Sequence, residues 1–289
     1  MMRGRRHWAV AVRRPNGAIH VEGHEINSLA DRYPLLSKPG FRGVMALGQA
    51  VTIGVRALTI SANQSVEDEE RLNTRQIAGS MALAFTFFVA VFIVGPYLGF
   101  RLIATRLPST LLRNLLEGLL RVGLFLGYLA LVGRMREIRR VFQYHGAEHK
   151  TIYAYENGDE LVPAEIDERY PTLHVRCGTN FLFIVLFLAI VTNFLIDLFW
   201  GGSLLPRVGL RLLAIPVLAG LSYEVIKLAS RNEGSWLFKA SMLPGLALQR
   251  ITTKPPTHDM IEVAIAAMVA VAPKDPVDSQ DEAPSAPVA

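Results

Sequence analysis

The chain has 289 residues, of which 51% are hydrophobic and 19% charged, with a formal net charge of +5. The apolar excess is gathered into a few long runs between polar ends, which excludes a plain soluble enzyme, a disordered chain and a disulfide-stapled secreted module. The single cysteine, Cys177, cannot form an internal bridge and points to a reducing compartment, a metal ligand or a reactive thiol.

The chain opens Met1-Met2-Arg3-Gly4-Arg5-Arg6 with no apolar segment behind it, so no signal peptide is expected. Trp8 to Arg13 alternates with period two, Pro15-Asn16-Gly17 is a strong turn, and Ala18 to Glu25 returns, which predicts a β-hairpin within residues 1–40. His20 and His24 share one face of the second strand and are expected to be exposed. Gly43 to Ile60 is only moderately apolar and Gly-rich. It reads as an interfacial or re-entrant helix in a 41–76 segment that ends with the acidic run Glu67 to Glu70.

Four spans follow, because about 20 apolar residues cross a bilayer core as a helix. Ile77 to Phe100 carries no charge, and Leu115 to Val132 completes a first hairpin (77–133) across a break at Ala104 to Asn114. Thr179 to Trp200 and Val208 to Ala229 form a second (179–230), turning at Gly201-Gly202 and Pro206. The fold class is therefore mainly α: a polytopic helical membrane protein with four transmembrane helices in two hairpins and a small N-terminal cytoplasmic β-hairpin. Glu117 and Arg121 form an i,i+4 pair, and Asn193 and Asp197 lie inside the third span. Basic residues set the orientation: 11 Lys/Arg precede span one, 7 lie between Arg134 and Gly178, and 5 follow from Arg231, against 3 in the first hairpin loop. Both termini and the middle loop (134–178) are expected on the cytoplasmic side of a bacterial inner membrane. The partner is the lipid bilayer, and no nucleic-acid binding is expected. Residues 231–271 read as membrane-surface and cytoplasmic helices, and 272–289 as a disordered tail.

The chemistry-bearing stretch is Phe142 to Lys150, which contains the string His145-Gly146-Ala147-Glu148-His149. On a helix His145 and His149 lie one turn apart on one face and can bind one metal ion, with Glu148 beside them as a general base or a ligand. The pattern H-x-x-E-H is the inverted zinc-protease signature. His174 and Cys177 add metal-ligand residue types just before span three, where Thr179 is an expected N-cap. Glu224 sits near the cytoplasmic end of span four, where a carboxylate is costly unless paired or functional. Each has a plainer reading: an interfacial histidine pair, a buried small thiol, and a Glu224 ion pair with Lys227 or Arg231. Tyr144, Tyr153 and Tyr155 read as packing residues.

The segments Arg6–Gly17, Phe142–Gly158, Pro171–Leu182 and Ser222–Lys227 resemble the YqhQ-like family of uncharacterised bacterial membrane proteins, described as predicted metal-dependent enzymes. The resemblance covers nearly the whole chain to Val271. It implies the four-span architecture and a metal site at His145, Glu148, His149, His174 and Cys177. Two departures stand out: the family pattern has a Gly-rich stretch before Met-Met-Arg-Gly, and tends to have Pro where Val175 stands.

The expected function is a metal-dependent enzyme, a hydrolase in the first instance, with its site at the cytoplasmic membrane face. A divalent ion, zinc by its N/S ligands, would be held by His145 and His149 with His174, Cys177 or Glu224. Glu148 would deprotonate water and Arg176 stabilise developing negative charge. The rival is a scaffold or assembly factor with a closed structural metal site. A small transporter ranks third.

Overall fold

The computed structural model describes residues 1–4, 6–26, 33–66, 73–96, 98–99, 110–175, 177–199, 204–230 and 235–272. The acidic run at Glu67, the turn at Gly201-Gly202, Arg176, the side chain of Asp197 and the tail from 273 lie outside the described residues.

The expected hairpin forms as β2 (His7–Arg13) and β3 (Ile19–Glu25), and β1 (Met2–Arg3) adds a third antiparallel strand in the order β1-β2-β3. Gly17 takes φ +84° in the turn, where Asn16 Oδ1 accepts from the Ala18 N–H at 3.1 Å. His20 and His24 are half-buried, not exposed: His20 pairs with Glu22 at 2.7 Å, and His24 stacks on Trp8 with ring centroids 4.4 Å apart.

The helices are α1 (Phe41–Gln64), α2 (Thr74–Phe88, continuing as a π-helical stretch Val89–Val94), α3 (Thr110–Val132), α4 (Arg136–Glu156), α5 (Pro163–Arg169), α6 (Thr179–Phe199), α7 (Leu204–Ser230), α8 (Trp236–Thr252) and α9 (His258–Val271). Asn73 caps α2 in a full capping box with Gln76.

Two bodies of packing organise these elements. In the first, β2 is buried on both faces, which explains why its burial does not alternate as the sequence does. Trp8, Val10 and Val12 pack on Ile53 and Ala57 of α1. On the other face Ala11 meets the core of Met2, Ala147, Ala154, Ile166, Ile261, Ala264 and Ala267, built by α4, α5 and α9. Small residues on both sides let α9 approach the sheet closely.

The second body is helical, and among the described residues four helices are long and apolar enough to cross a membrane: Phe41–Gln64, which also packs on the sheet, Arg75–Val94, Leu115–Val132 and Val208–Leu228. This set differs from the expected one. Phe41–Gln64 enters it, and the third expected span, α6, contributes a shorter described apolar stretch, Phe181–Ile196. Both hairpin contacts form: Phe92 packs edge-on against Phe125 and Tyr128, and α6 packs along α7. A buried charge network joins them. Glu117 accepts from Arg121 at 2.8 Å, as the i,i+4 spacing requires, and also from Arg211 of α7 at 2.9 Å. Arg121 Nε–H donates to the Phe92 carbonyl at 3.0 Å, within the π-helical stretch, where the backbone hydrogen-bond ladder is altered.

Candidate metal centre

Helix α4 is strongly polar, yet one stripe of it is buried: Gly146, Ala147, His149, Lys150, Thr151 and Ala154. Ala147 and Ala154 enter the core with α9. The buried Lys150 is held by the Asp167 carboxylate at 2.9 Å and carbonyl at 2.6 Å, fixing α4 against α5. The same stripe turns His145 and His149 inward, with ring centroids 4.4 Å apart.

Each imidazole is oriented by a backbone carbonyl. His145 Nδ1 lies 2.9 Å from the Thr252 oxygen and His149 Nδ1 2.6 Å from the Thr172 oxygen. A carbonyl only accepts, so both Nδ1 atoms carry the proton and both Nε2 atoms point to the shared centre. Cys177 Sγ sits 3.3 Å from His145 Nε2 and accepts from the Thr179 hydroxyl at 3.4 Å. Thr179 is thus the first residue of α6, and its side chain serves the cysteine.

The ligand atoms of His145, His149 and Cys177 all lie within 4.8 Å of one another. Zn–N bonds of about 2.0 Å and Zn–S bonds of about 2.3 Å in a tetrahedron put N and S about 3.6 Å apart, close to the 3.3 Å between Cys177 Sγ and His145 Nε2.

The electrostatics agree. Burial opposes a charge on His145, but the hydrogen bond and charge of Cys177 outweigh it, helped by the Thr252 carbonyl and Glu148, and its pKa is raised to about 9. Burial opposes the Cys177 thiolate, and the hydrogen bonds and charges of His145 and His149 outweigh that, lowering its pKa to about 5. The thiolate that a metal requires is the neutral-pH state of this site, and a bound metal would displace the second proton that His145 carries there.

The other expected residues divide. His174 is adjacent but outside the ligand group. Its backbone N–H donates to Gln249 Oε1 and its carbonyl accepts from Gln249 Nε2, both at 2.8 Å. Its ring packs on Tyr153 at 4.4 Å, with Nε2 3.7 Å from Glu156. Glu148 borders the site, and its carboxylate pairs with the Met1 amine. Glu224 lies outside the His145–His149–Cys177 group: it is bound by Arg42, with Nε at 2.7 Å, and by the Gly40 N–H at 3.1 Å. Arg42 reaches it because Gly43 and Gly220 bring α1 and α7 into backbone contact.

The supporting residues Thr172, Thr252 and Gln249 were not singled out from the sequence. Thr172 and Thr252 act through carbonyls, which no side chain announces. Gln249 carried one signal, an uncharged amide directly after the apolar run Leu246-Ala247-Leu248.

Residues 38–274 match the family model described as "Protein of unknown function (DUF1385)". The chain is 30% identical over 305 aligned positions to "Uncharacterized protein YqhQ" of Bacillus subtilis (strain 168), covering 99% of this chain and 93% of that protein. No solved structure matches. The family model spans most of the chain and the relative is matched along nearly its whole length, and the chain belongs to the DUF1385 family of YqhQ-like proteins.

Proposed function

We propose that this chain is an integral membrane protein of the inner membrane that holds a divalent transition metal, zinc by its N/S ligands, at His145, His149 and Cys177 and acts there as a hydrolase. One observation carries the metal: two imidazoles with Nδ1 tied to carbonyls present Nε2 beside a thiolate. Among the described residues no fourth His, Cys, Asp or Glu joins the group, and three protein ligands with one open position is the pattern of catalytic zinc.

Bound there, the ion would supply Lewis acidity. The chain's own groups would do the rest. Glu148 would take a proton from water once freed from the Met1 amine, and the role left to Arg176 is to stabilise developing negative charge. The membrane reading rests on the long apolar helices, whose exposed faces carry Leu83, Phe87, Leu131 and Leu213. Within it, α2, α3, α6 and α7 span. Helix α1 lies at the cytoplasmic interface, because its buried side chains Ile53 and Ala57 pack on the sheet.

A scaffold with a structural ion is the second reading. The Gln249 clamp on His174, and the Lys254 N–H bond to the Phe142 carbonyl at 2.9 Å, fasten α8 and the 172–177 loop around the ligands. One set of variants separates the readings. Metal content of the detergent-purified protein should fall with His149→Ala and Cys177→Ser and stay with His174→Ala and Glu148→Gln. Loss of the cellular phenotype in metal-replete Glu148→Gln supports hydrolysis; an intact phenotype there leaves the scaffold. Metal content indifferent to His149→Ala and Cys177→Ser would end both.

A further inference from the structure

A groove of about 470 Å³ opens where α3 ends, lined by Ala130, Gly133, Arg134, Arg139, Ile251 and Lys254. That volume suits a small-molecule headgroup. Its wall is divided: Ala130 and Ile251 are apolar, and three cations supply the polar part. Arg134 and Arg139 are exposed and pair with no carboxylate among the described residues, while Lys254 Nζ donates only to the Arg250 carbonyl, at 3.0 Å. Three positive groups converge here with no acidic residue in the lining, and Arg136 and Arg140 flank them in sequence.

The position matters as much as the charge. The groove lies at the end of Leu115–Val132, a segment long and apolar enough to span. Leu131 and Met135, 63% and 54% exposed, continue an apolar surface beside the basic one. An occupant must therefore satisfy a cluster of cations and an apolar flank together.

We infer that the Arg134–Arg139–Lys254 groove binds the phosphate of an anionic lipid headgroup, with the acyl chains lying along the end of α3. The shared chemistry is a phosphate oxyanion on guanidinium and ammonium donors. The lipid as its source rests on the spanning placement of α3; the phosphate site does not. Nothing here depends on the metal, although Ile251 and Lys254 flank Thr252, whose carbonyl orients His145.

The test uses the full chain in neutral maltoside micelles, titrated with dihexanoyl phosphatidic acid, dihexanoyl phosphatidylcholine or inorganic phosphate and read by native mass spectrometry. Arg134→Gln/Arg139→Gln/Lys254→Gln should weaken phosphatidic acid binding about a hundredfold, at about fivefold for each cation removed. Arg136→Gln/Arg140→Gln/Lys239→Gln removes equal charge outside the groove and should change it less than about twofold. Should the triple variant fail the circular-dichroism check, exposed Arg139→Gln alone should cost about fivefold. Equal losses in both triple variants would mean diffuse attraction and overturn the site. Equal binding of phosphatidylcholine would overturn anion selectivity. Inorganic phosphate binding as tightly as the lipid would overturn the lipid source, and carbonate extraction of the protein from membranes would separately overturn the spanning placement.

Discussion

Gly146→Ala is the sharpest test of the site, because local and tertiary physics give opposite signs. In an isolated helix the change is favourable by about 1 kcal/mol, since glycine is the poorer helix former. In the folded protein an added Cβ would fall well inside van der Waals contact of the Lys254 carbonyl oxygen, 3.3 Å from its carbonyl carbon and 3.2 Å from Thr172 Cγ2. The Lys254 carbonyl is backbone and cannot swing aside, and Thr172 Cγ2 sits on a stiff β-branched side chain. The Lys254 N–H is bonded to the Phe142 carbonyl, and Thr172 gives its own carbonyl to His149. Overpacking of this kind costs about 1–3 kcal/mol, so the net expectation is a loss of up to about 2 kcal/mol. The larger effect falls on the ligands. Any shift that relieves the clash moves Thr172 or the 252–254 segment, and with them the carbonyls that set both imidazoles. Disturbing such outer partners costs about 10–100-fold in metal affinity. Chelator competition on the detergent-purified protein measures this directly, with thermal unfolding alongside. A variant that melts higher and binds metal as the parent does would show that α4 and the Thr252 segment do not pack as described.

Three further outcomes follow from the same contacts. In metal-free protein, alkylation of Cys177 should reach half its limiting rate near pH 5, and His145→Ala should move that midpoint up toward the ordinary thiol range; a midpoint unmoved by the substitution would sever the pair. The same pair sets a pH dependence of stability. The Cys177 share is present above its ordinary pKa and lost as pH falls through about 5, while the His145 share is full below about 6.5 and lost as pH rises through about 9. The two slopes oppose each other above about 6.5, so the apo protein should gain stability from about pH 5 to 6.5 and then plateau, which denaturant titration across that range checks. Gln249→Leu should cost about 2–4 kcal/mol by stranding the His174 N–H and carbonyl and should speed amide exchange across 172–177; unchanged exchange there would refute the clamp. Glu117→Gln leaves Arg121 and Arg211 buried beside a neutral amide and should lower stability in detergent by about 3–5 kcal/mol, whereas a surface-like loss below 1 kcal/mol would mean that water reaches the network.

What the sequence disclosed depended on whether a property is local. The β-hairpin, the apolar helices and the facing of His145 and His149 were legible because period two, length and the i,i+4 spacing are written in neighbouring residues. Cys177 was legible as a ligand type, though not as the partner chosen over His174. That choice is made by Gln249, distant in sequence, which fixes the His174 backbone and sends its ring toward Tyr153 and Glu156 while Cys177 turns to the centre. Glu224 was ambiguous for a related reason. A carboxylate in an apolar helix signals a partner without saying which, and Arg42 became that partner through the close approach of Gly43 and Gly220. Helix α1 shows the limit in reverse. Its length and hydropathy qualify it to span, but hydropathy cannot distinguish a lipid-facing Ile53 from one that covers Trp8 and Val10. The glycine in His145-Gly146-Ala147-Glu148-His149 is the most instructive case. From the sequence it only weakens a helix; in the fold it is the gap through which the Lys254 backbone reaches α4, and that approach lets the neighbouring Thr252 carbonyl set the tautomer of His145. A site assembled by backbone carbonyls is built from atoms every residue has, so its legible trace is the residue that makes room for them.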